Sequence, residues 1–160
     1  MKNIITTIAL FLFVATAFCQ KEVKNGTIYM KHANITSVEN SIKAYLAKDI
    51  AANGKIFSDT AKFWSSGMEK SIPIEVALKM WASDFDFYDD IKLTAVGYPD
   101  YLHYLDNDQR YVQSWWTWSG KSKKTGVVLT IACVQFDQFD AAGKITQESI
   151  YGDFSKMEHN

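Results

Sequence analysis

The sequence predicts an α+β fold, with helices first and a long antiparallel sheet after them. Three observations carry this. Two stretches in the first half repeat apolar residues at helical spacing, and the second half, from Ile91 onward, alternates with period two between turn residues. A chain of 160 residues also has room for one domain and one core.

The composition, 48% hydrophobic with 22% charged side chains, is that of a globular protein able to build a core. Seventeen basic residues stand against eighteen acidic ones, a net charge of -1. No global field holds a polyanion, so no nucleic acid partner is expected.

Residues 1–19 read as a signal peptide: Lys2 precedes the mostly apolar run IITTIALFLFVATAF, and Ala17 and Cys19 give a small-x-small exit. Cleavage after Cys19 would leave Gln20 as the first residue of a secreted or periplasmic protein. The run is too short for a spanning helix, so no membrane span is expected in the mature chain. Lipidation at Cys19 is disfavoured because Phe18, not a small residue, precedes it. The mature chain then holds one cysteine, Cys133, which can form no internal disulfide and reads as a small hydrophobe in VVLTIACV.

Residues 20–35 are polar and unpatterned, a flexible lead-in, and the single domain is expected over 36–156. The first helix starts at Thr36, with Glu39 completing a capping box, and Val38, Ile42, Tyr45, Leu46 and Ile50 share one face up to the stop at Asn53-Gly54. A short strand is expected over Ala61 to Trp64. The second helix has Pro73 in its first turn and Ile74, Leu78, Trp81 and Phe85 on its core face. The aspartates of DFDFYDD (Asp84, Asp86, Asp89 and Asp90) lack the glycine and ligand spacing of a calcium loop and read as a solvated edge.

The strands follow. Ile91 to Leu105 is one long segment bent at Tyr98-Pro99-Asp100, and Asp106-Asn107-Asp108 turns it into Arg110 to Ser119. Parity there puts Val112, Trp116 and Trp118 on one face and Tyr111, Trp115 and Thr117 on the other. Val127 to Val134 is apolar almost without interruption, as in a strand covered on both faces. Helices would cover one face and a second copy of the chain the other, which predicts a homodimer through the sheet face. Asp140 to Gly143 turns the chain into a last strand, Lys144 to Phe154.

Three features of the closing segment belong together: Gln135-Phe136-Asp137 ending a hydrophobic strand, the turn from Asp140 to Ile145, and the ending Tyr151-Gly152-Asp153. With the preceding element order they resemble the NTF2-like superfamily, particularly its SnoaL-like (polyketide cyclase-like) branch. The resemblance implies a cone: a curved antiparallel β-sheet wrapped around N-terminal helices, with a pocket at the wide end. Isomerases, cyclases, dehydratases, hydrolases, ligand binders and transport adaptors share that fold, so function must come from residues. Where the isomerase branch carries its two aspartates, this chain has Ser65 and Leu129, neither able to take that role, although Tyr45 matches the first-helix tyrosine. The SnoaL-like branch implies a late-strand aspartate, for which Asp153 is nearest.

The catalytic candidates are therefore Asp153 and His103, the latter with Asp100 or Asp106 near enough in sequence to orient its ring. Ligand-binding candidates are Trp64, Trp81, Trp116, Trp118, Tyr45, Tyr104 and Tyr151, which could give a pocket flat apolar walls and a few polar tips. No motif calls for a cofactor, and no histidine or cysteine cluster has metal-binding spacing. Three functions follow in order: binding of a small apolar or aromatic molecule; an enzyme of the cyclase, dehydratase or hydrolase kind using Asp153 or His103; and a protein-interaction module using the sheet face.

Overall fold

The computed structural model describes residues 23–158, so the expected signal peptide, Cys19 and His159 lie outside the described residues. The first strand, β1 (Gly26–Tyr29), falls within the expected lead-in, where it pairs antiparallel with a later strand through Thr27↔His103 and Tyr29↔Tyr101. Helix α1 (Ala33–Leu46) starts three residues before the expected cap. The His32 ring stacks on Tyr101 with centroids 3.6 Å apart, and its Nδ1 accepts the Asn34 N–H at 3.1 Å. His32 is thus the N-cap and is anchored by a tertiary contact, which lets the helix begin before the Thr36 capping box.

The expected long first helix is two. Lys48 takes a positive φ of 62° and ends α1, and Asp49 restarts the chain by accepting the Ala52 N–H at 2.9 Å at the head of α2 (Ile50–Gly54). Asn53 ties the two together, donating from Nδ2 to Ser41 O at 3.0 Å and to Ser41 Oγ at 2.9 Å. Strand β2 (Phe57–Ser65) is longer than the expected segment, and β3 (Ile72–Pro73) folds back on it. Pro73 caps α3 (Ile74–Phe87), whose buried residues Ile74 and Ala77 face the core with Leu78 and Trp81 packed beside them.

The expected bent strand is two strands, β4 (Tyr88–Ala95) and β5 (Asp100–Tyr104), joined through Gly97 at φ 84°. Both pair with the same edge of β6 (Arg110–Ser122): β5 with its first residues, β4 with its second half. A long hairpin joins β6 to β7 (Val128–Phe139), and a tight turn leads to β8 (Ile145–Gly152). In that turn Asp140 Oδ1 accepts the N–H groups of Ala142 and Lys144, both at 2.9 Å.

The eight strands form one curved, unclosed sheet in the order β1-β5-β6-β7-β8-β2-β3, with β4 on β6 off that path. All pairings are antiparallel except β2 with β8. The sheet is therefore mixed, because β2 enters from the helical half of the chain along β8. Two clusters make the core. One packs Ile35 and Val38 of α1 and Ala77 of α3 on Phe63, Val112 and Ile145. The other gathers Tyr88, Trp118 and Ile131 with Phe154 and Met157.

The parity expected on β6 is present, with Val112, Trp116 and Trp118 buried and Tyr111, Trp115 and Thr117 partly open. On β7 this chain by itself covers one of the two faces expected to be covered. Ile131 is buried, while Thr130 and Ala132 are exposed and Val128 is 62% exposed. One helical layer covers only the inward face of the chain. Among the described residues no helix is long and apolar enough to cross a membrane.

Candidate functional site

Between the two core clusters lies a half-open cavity of about 740 Å³, in the size range of small-molecule sites. Strand alternation decides which side chains reach it. On β2, Phe63 and Ser65 line the cavity, so Trp64 between them points to the opposite face; on β8, Ile150 and Gly152 line it, so Tyr151 points away. Those two outward rings lie 5.1 Å apart between centroids, and Phe136 meets Tyr151 edge-on at 5.9 Å. Helices α1 and α3 contribute Ile42, Tyr45, Trp81 and Asp84, and the sheet contributes Trp118, Gln135 and Glu148.

Of the sequence-derived aromatic set, Tyr45, Trp81 and Trp118 thus come together, while Trp64 and Tyr151 sit on the outer face. Trp116 is buried away from the cavity lining, its Nε1 donating to Ser114 Oγ at 2.7 Å. Tyr104 packs edge-on with Tyr111, centroids 6.1 Å apart, and is also off the lining. Ser65 lines the cavity and Leu129 packs in the second core cluster.

The two acid–base candidates from sequence take other roles. His103 Nε2 lies 2.6 Å from Asp108 Oδ1 at the β5–β6 hairpin, outside the cavity, and its partner is neither Asp100 nor Asp106. Arg110 completes that surface group by donating to both oxygens of Asp108. Asp153 reaches the rim of the cavity but is exposed, and its Oδ1 accepts from Ser155 N at 3.1 Å and Ser155 Oγ at 2.6 Å. Those hydrogen bonds hold its carboxyl below the usual value, which suits a fixed anion and not a proton carrier.

Two carboxyls inside the cavity have the opposite character. Asp84 stands one turn after Trp81 on α3, and Tyr45 donates to its Oδ2 at 2.8 Å; Trp118 Nε1 in turn donates to the Tyr45 oxygen at 3.3 Å. Burial pushes Asp84 up to about 6 despite the Tyr45 hydrogen bond, and burial and the Asp84 charge push the Tyr45 phenol up as well. The second carboxyl, Glu148, is 5% exposed and faces Asp137, which is fully buried, directly across β7–β8. Burial and then the Asp137 charge raise Glu148 well above its usual value, and burial raises Asp137 too. Gln135 Nε2 donates to Asp137 Oδ2 at 2.9 Å, while Asp137 Oδ1, also buried, has no donor among the described residues, so the pair is held in the less charged state by burial.

This corrects the reading of DFDFYDD as a uniform solvated edge. Asp86, Asp89 and Asp90 are exposed, but Asp84 lies on the inward face of α3. Its spacing of three from Trp81 was the available signal. Glu148 alternates with Ile150 and so could have been read as inward; its pairing with Asp137 could not. Cys133 also lines the cavity, and burial, followed by the Glu148 charge, lifts its thiol to about 11. Among the described residues no three His, Cys, Asp or Glu side chains gather so as to hold a metal ion.

No protein-family model matches the chain. No curated protein matches it either. Solved structures do. A hypothetical protein of ketosteroid isomerase-like fold from Catenulispora acidiphila, in complex with trimethylamine, is similar at 14% identity and a TM-score of 0.57, covering 71% of this chain and 82% of its own. An NTF2-like protein of unknown function from Exiguobacterium gives 21% identity and 0.58 over 73% of this chain and 98% of its own. A SnoaL-like polyketide cyclase assignment from Shewanella denitrificans gives 12% and 0.57, with 79% and 95% covered. The chain has an NTF2-like fold, an α+β cone. Its structural neighbours include ketosteroid isomerase-like and SnoaL-like proteins.

Proposed function

We propose that this chain is an exported domain that binds a small, largely apolar molecule in the cavity between its helices and its sheet. The observation that carries this is the lining itself. Phe63, Trp81, Leu93, Trp118 and Ile150 give apolar walls, while Tyr45, Asp84 and Glu148 bring a few polar groups to the same space. The Catenulispora protein, solved in complex with trimethylamine, is a precedent for a small-molecule complex in this fold. Replacing Ile150 by Trp would fill the cavity. Compounds that raise the thermal midpoint of the wild type should lose that effect in Ile150→Trp, and an undiminished effect would place the ligand elsewhere.

A second reading is proton-transfer chemistry of the isomerase, cyclase or dehydratase kind. What supports it is the Asp84 carboxyl, pushed up to about 6 by burial, and the Tyr45 hydroxyl bonded to it at 2.8 Å on the same cavity, a base and a hydroxyl for one substrate. These take the place of Asp153 and His103. Turnover of a substrate that disappears in Asp84→Asn but persists in Asp153→Asn is the expected result.

We also propose a homodimer through the outer sheet face and export after removal of residues 1–19. The exposed Val128 and the Trp64–Tyr151–Phe136 group support the first. The apolar run after Lys2 supports the second. Mass spectrometry of the exported form should return a chain beginning at Gln20.

A further inference from the structure

The charge inventory of the cavity is one-sided. Among the described residues its lining holds the carboxyls of Asp84, Glu148 and Asp153 and no lysine, arginine or histidine. An anionic ligand would enter an apolar space with carboxylates and no cation, an arrangement that disfavours it because like charges brought together in a low-dielectric site reject a partner. Lys48 lies over the Phe85 ring, 5.1 Å from its centroid, and is not part of the lining.

Asp84 is the focus of the imbalance. Among the described residues it accepts one hydrogen bond, from Tyr45 to Oδ2, and Oδ1 accepts none. No basic side chain contributes to its titration, and at neutral pH it is largely ionised. A largely buried carboxylate normally finds a cation or several donors, so the fold leaves this one short of a partner. The same shortage of donors shows at Asn53, which also lines the cavity and whose Oδ1, although buried, has no partner. Glu148 is a poorer partner for a ligand cation, because it is 5% exposed and lies across β7–β8 from the buried Asp137, an arrangement that disfavours its charged form.

Aromatic rings share the cavity wall with Asp84. Trp81 precedes it by one helical turn, and Trp118 and Tyr45 are chained to it by hydrogen bonds. Indole faces attract cations, best where water is excluded. The rest of the wall, with Ile42, Met80, Leu93 and Ile150, suits hydrocarbon.

We propose that the ligand class of this cavity is a lipophilic amine, bound as its ammonium with the nitrogen at Asp84 between Trp81 and Trp118 and its hydrocarbon part along the apolar wall. The inference rests on the small-molecule reading above and adds the charge of the ligand. It supplies Asp84 with a counterion that the described residues do not provide.

Three probes of one shape separate the possibilities: naphthylmethylamine, naphthylmethanol and naphthoate, titrated calorimetrically into the mature chain at neutral pH. The amine is expected to bind about tenfold or more tighter than the alcohol, the margin of a charge-assisted hydrogen bond, and the carboxylate weakest of the three. In Asp84→Asn the advantage of the amine over the alcohol should disappear, and residual binding of the alcohol reports an intact cavity. An alcohol that binds as well as the amine, or an amine advantage that survives Asp84→Asn, overturns the amine assignment and leaves the apolar cavity standing. If none of the three binds, the small-molecule reading fails with it.

Discussion

Tyr45 on α1 donates a 2.8 Å hydrogen bond to Asp84 near the end of α3, joining residues 39 apart in sequence at the wall of the cavity. The phenol is the donor that the Asp84 carboxylate has within the chain, and it acts to lower the carboxyl pKa against burial.

Tyr45→Phe should therefore raise the Asp84 pKa further above its present value of about 6. It should also cost about 1–3 kcal/mol of stability, the usual penalty for leaving a buried polar group without its partner. Carbon-detected NMR titration of the Asp84 carboxyl and urea unfolding check the two parts separately. A lowered pKa would contradict the assignment.

The pH dependence of stability has a definite sign. Asp84 rises from 3.8 to about 6 on folding, so the folded state holds its proton over a range in which the unfolded chain has lost it. Stability then falls as pH rises through that window, by on the order of 2–3 kcal/mol for this group. Glu148 and Asp137, both raised, extend the fall in the same direction. Asp108 and Asp153 are lowered and act in the opposite sense, but only below their ordinary value of 3.8. Calorimetric midpoints between the ordinary carboxylate range and neutrality should decline in the wild type and decline less in Asp84→Asn.

Gly120 is a packing requirement of the same region. A Cβ there would stand 2.7 Å from Trp118 Cη2 and 3.0 Å from Tyr88 Cβ. The Trp118 ring has little freedom to retreat, since Tyr88 meets it edge-on at 5.1 Å and its Nε1 bonds Tyr45. Gly120→Ala is expected to cost about 1–3 kcal/mol, the range for overpacking, measurable by urea unfolding with an unchanged m-value.

The outer sheet face gives a prediction of assembly. With Val128 at 62% and Tyr151 at 48% exposure, the apolar face of β7 and β8 should be covered by a second copy. Light scattering should return twice the mass of the mature chain, and Phe136→Glu should halve it. A monomeric wild type would remove the dimer.

Cys133 should be inert. Lifting its thiol from 9.0 to about 11 lowers the thiolate fraction roughly a hundredfold at neutral pH. Iodoacetamide should label the native protein far more slowly than the urea-unfolded chain.

The amino-acid pattern alone established the class of fold. Helical spacing on α1 and α3, period-two alternation on β6 and the turn at Asp140 all depend on residues close in sequence, where backbone geometry fixes which side chains share a face. Alternation also sorts Trp64 and Tyr151 outward, once Phe63, Ser65, Ile150 and Gly152 are known to face in. What the tertiary structure decided was partnership. Asp84 and Tyr45 come from different helices, Glu148 and Asp137 meet only when β7 pairs with β8, and β2 finds its parallel partner β8 only in the folded sheet. His32 capped α1 because Tyr101 held its ring, and Ser155, two residues on, donates to Asp153. A carboxyl becomes a proton carrier or a cation site through burial and the neighbours it lacks. Both belong to the packed chain, so the same DFDFYDD run holds three exposed carboxylates and one, Asp84, turned into the cavity.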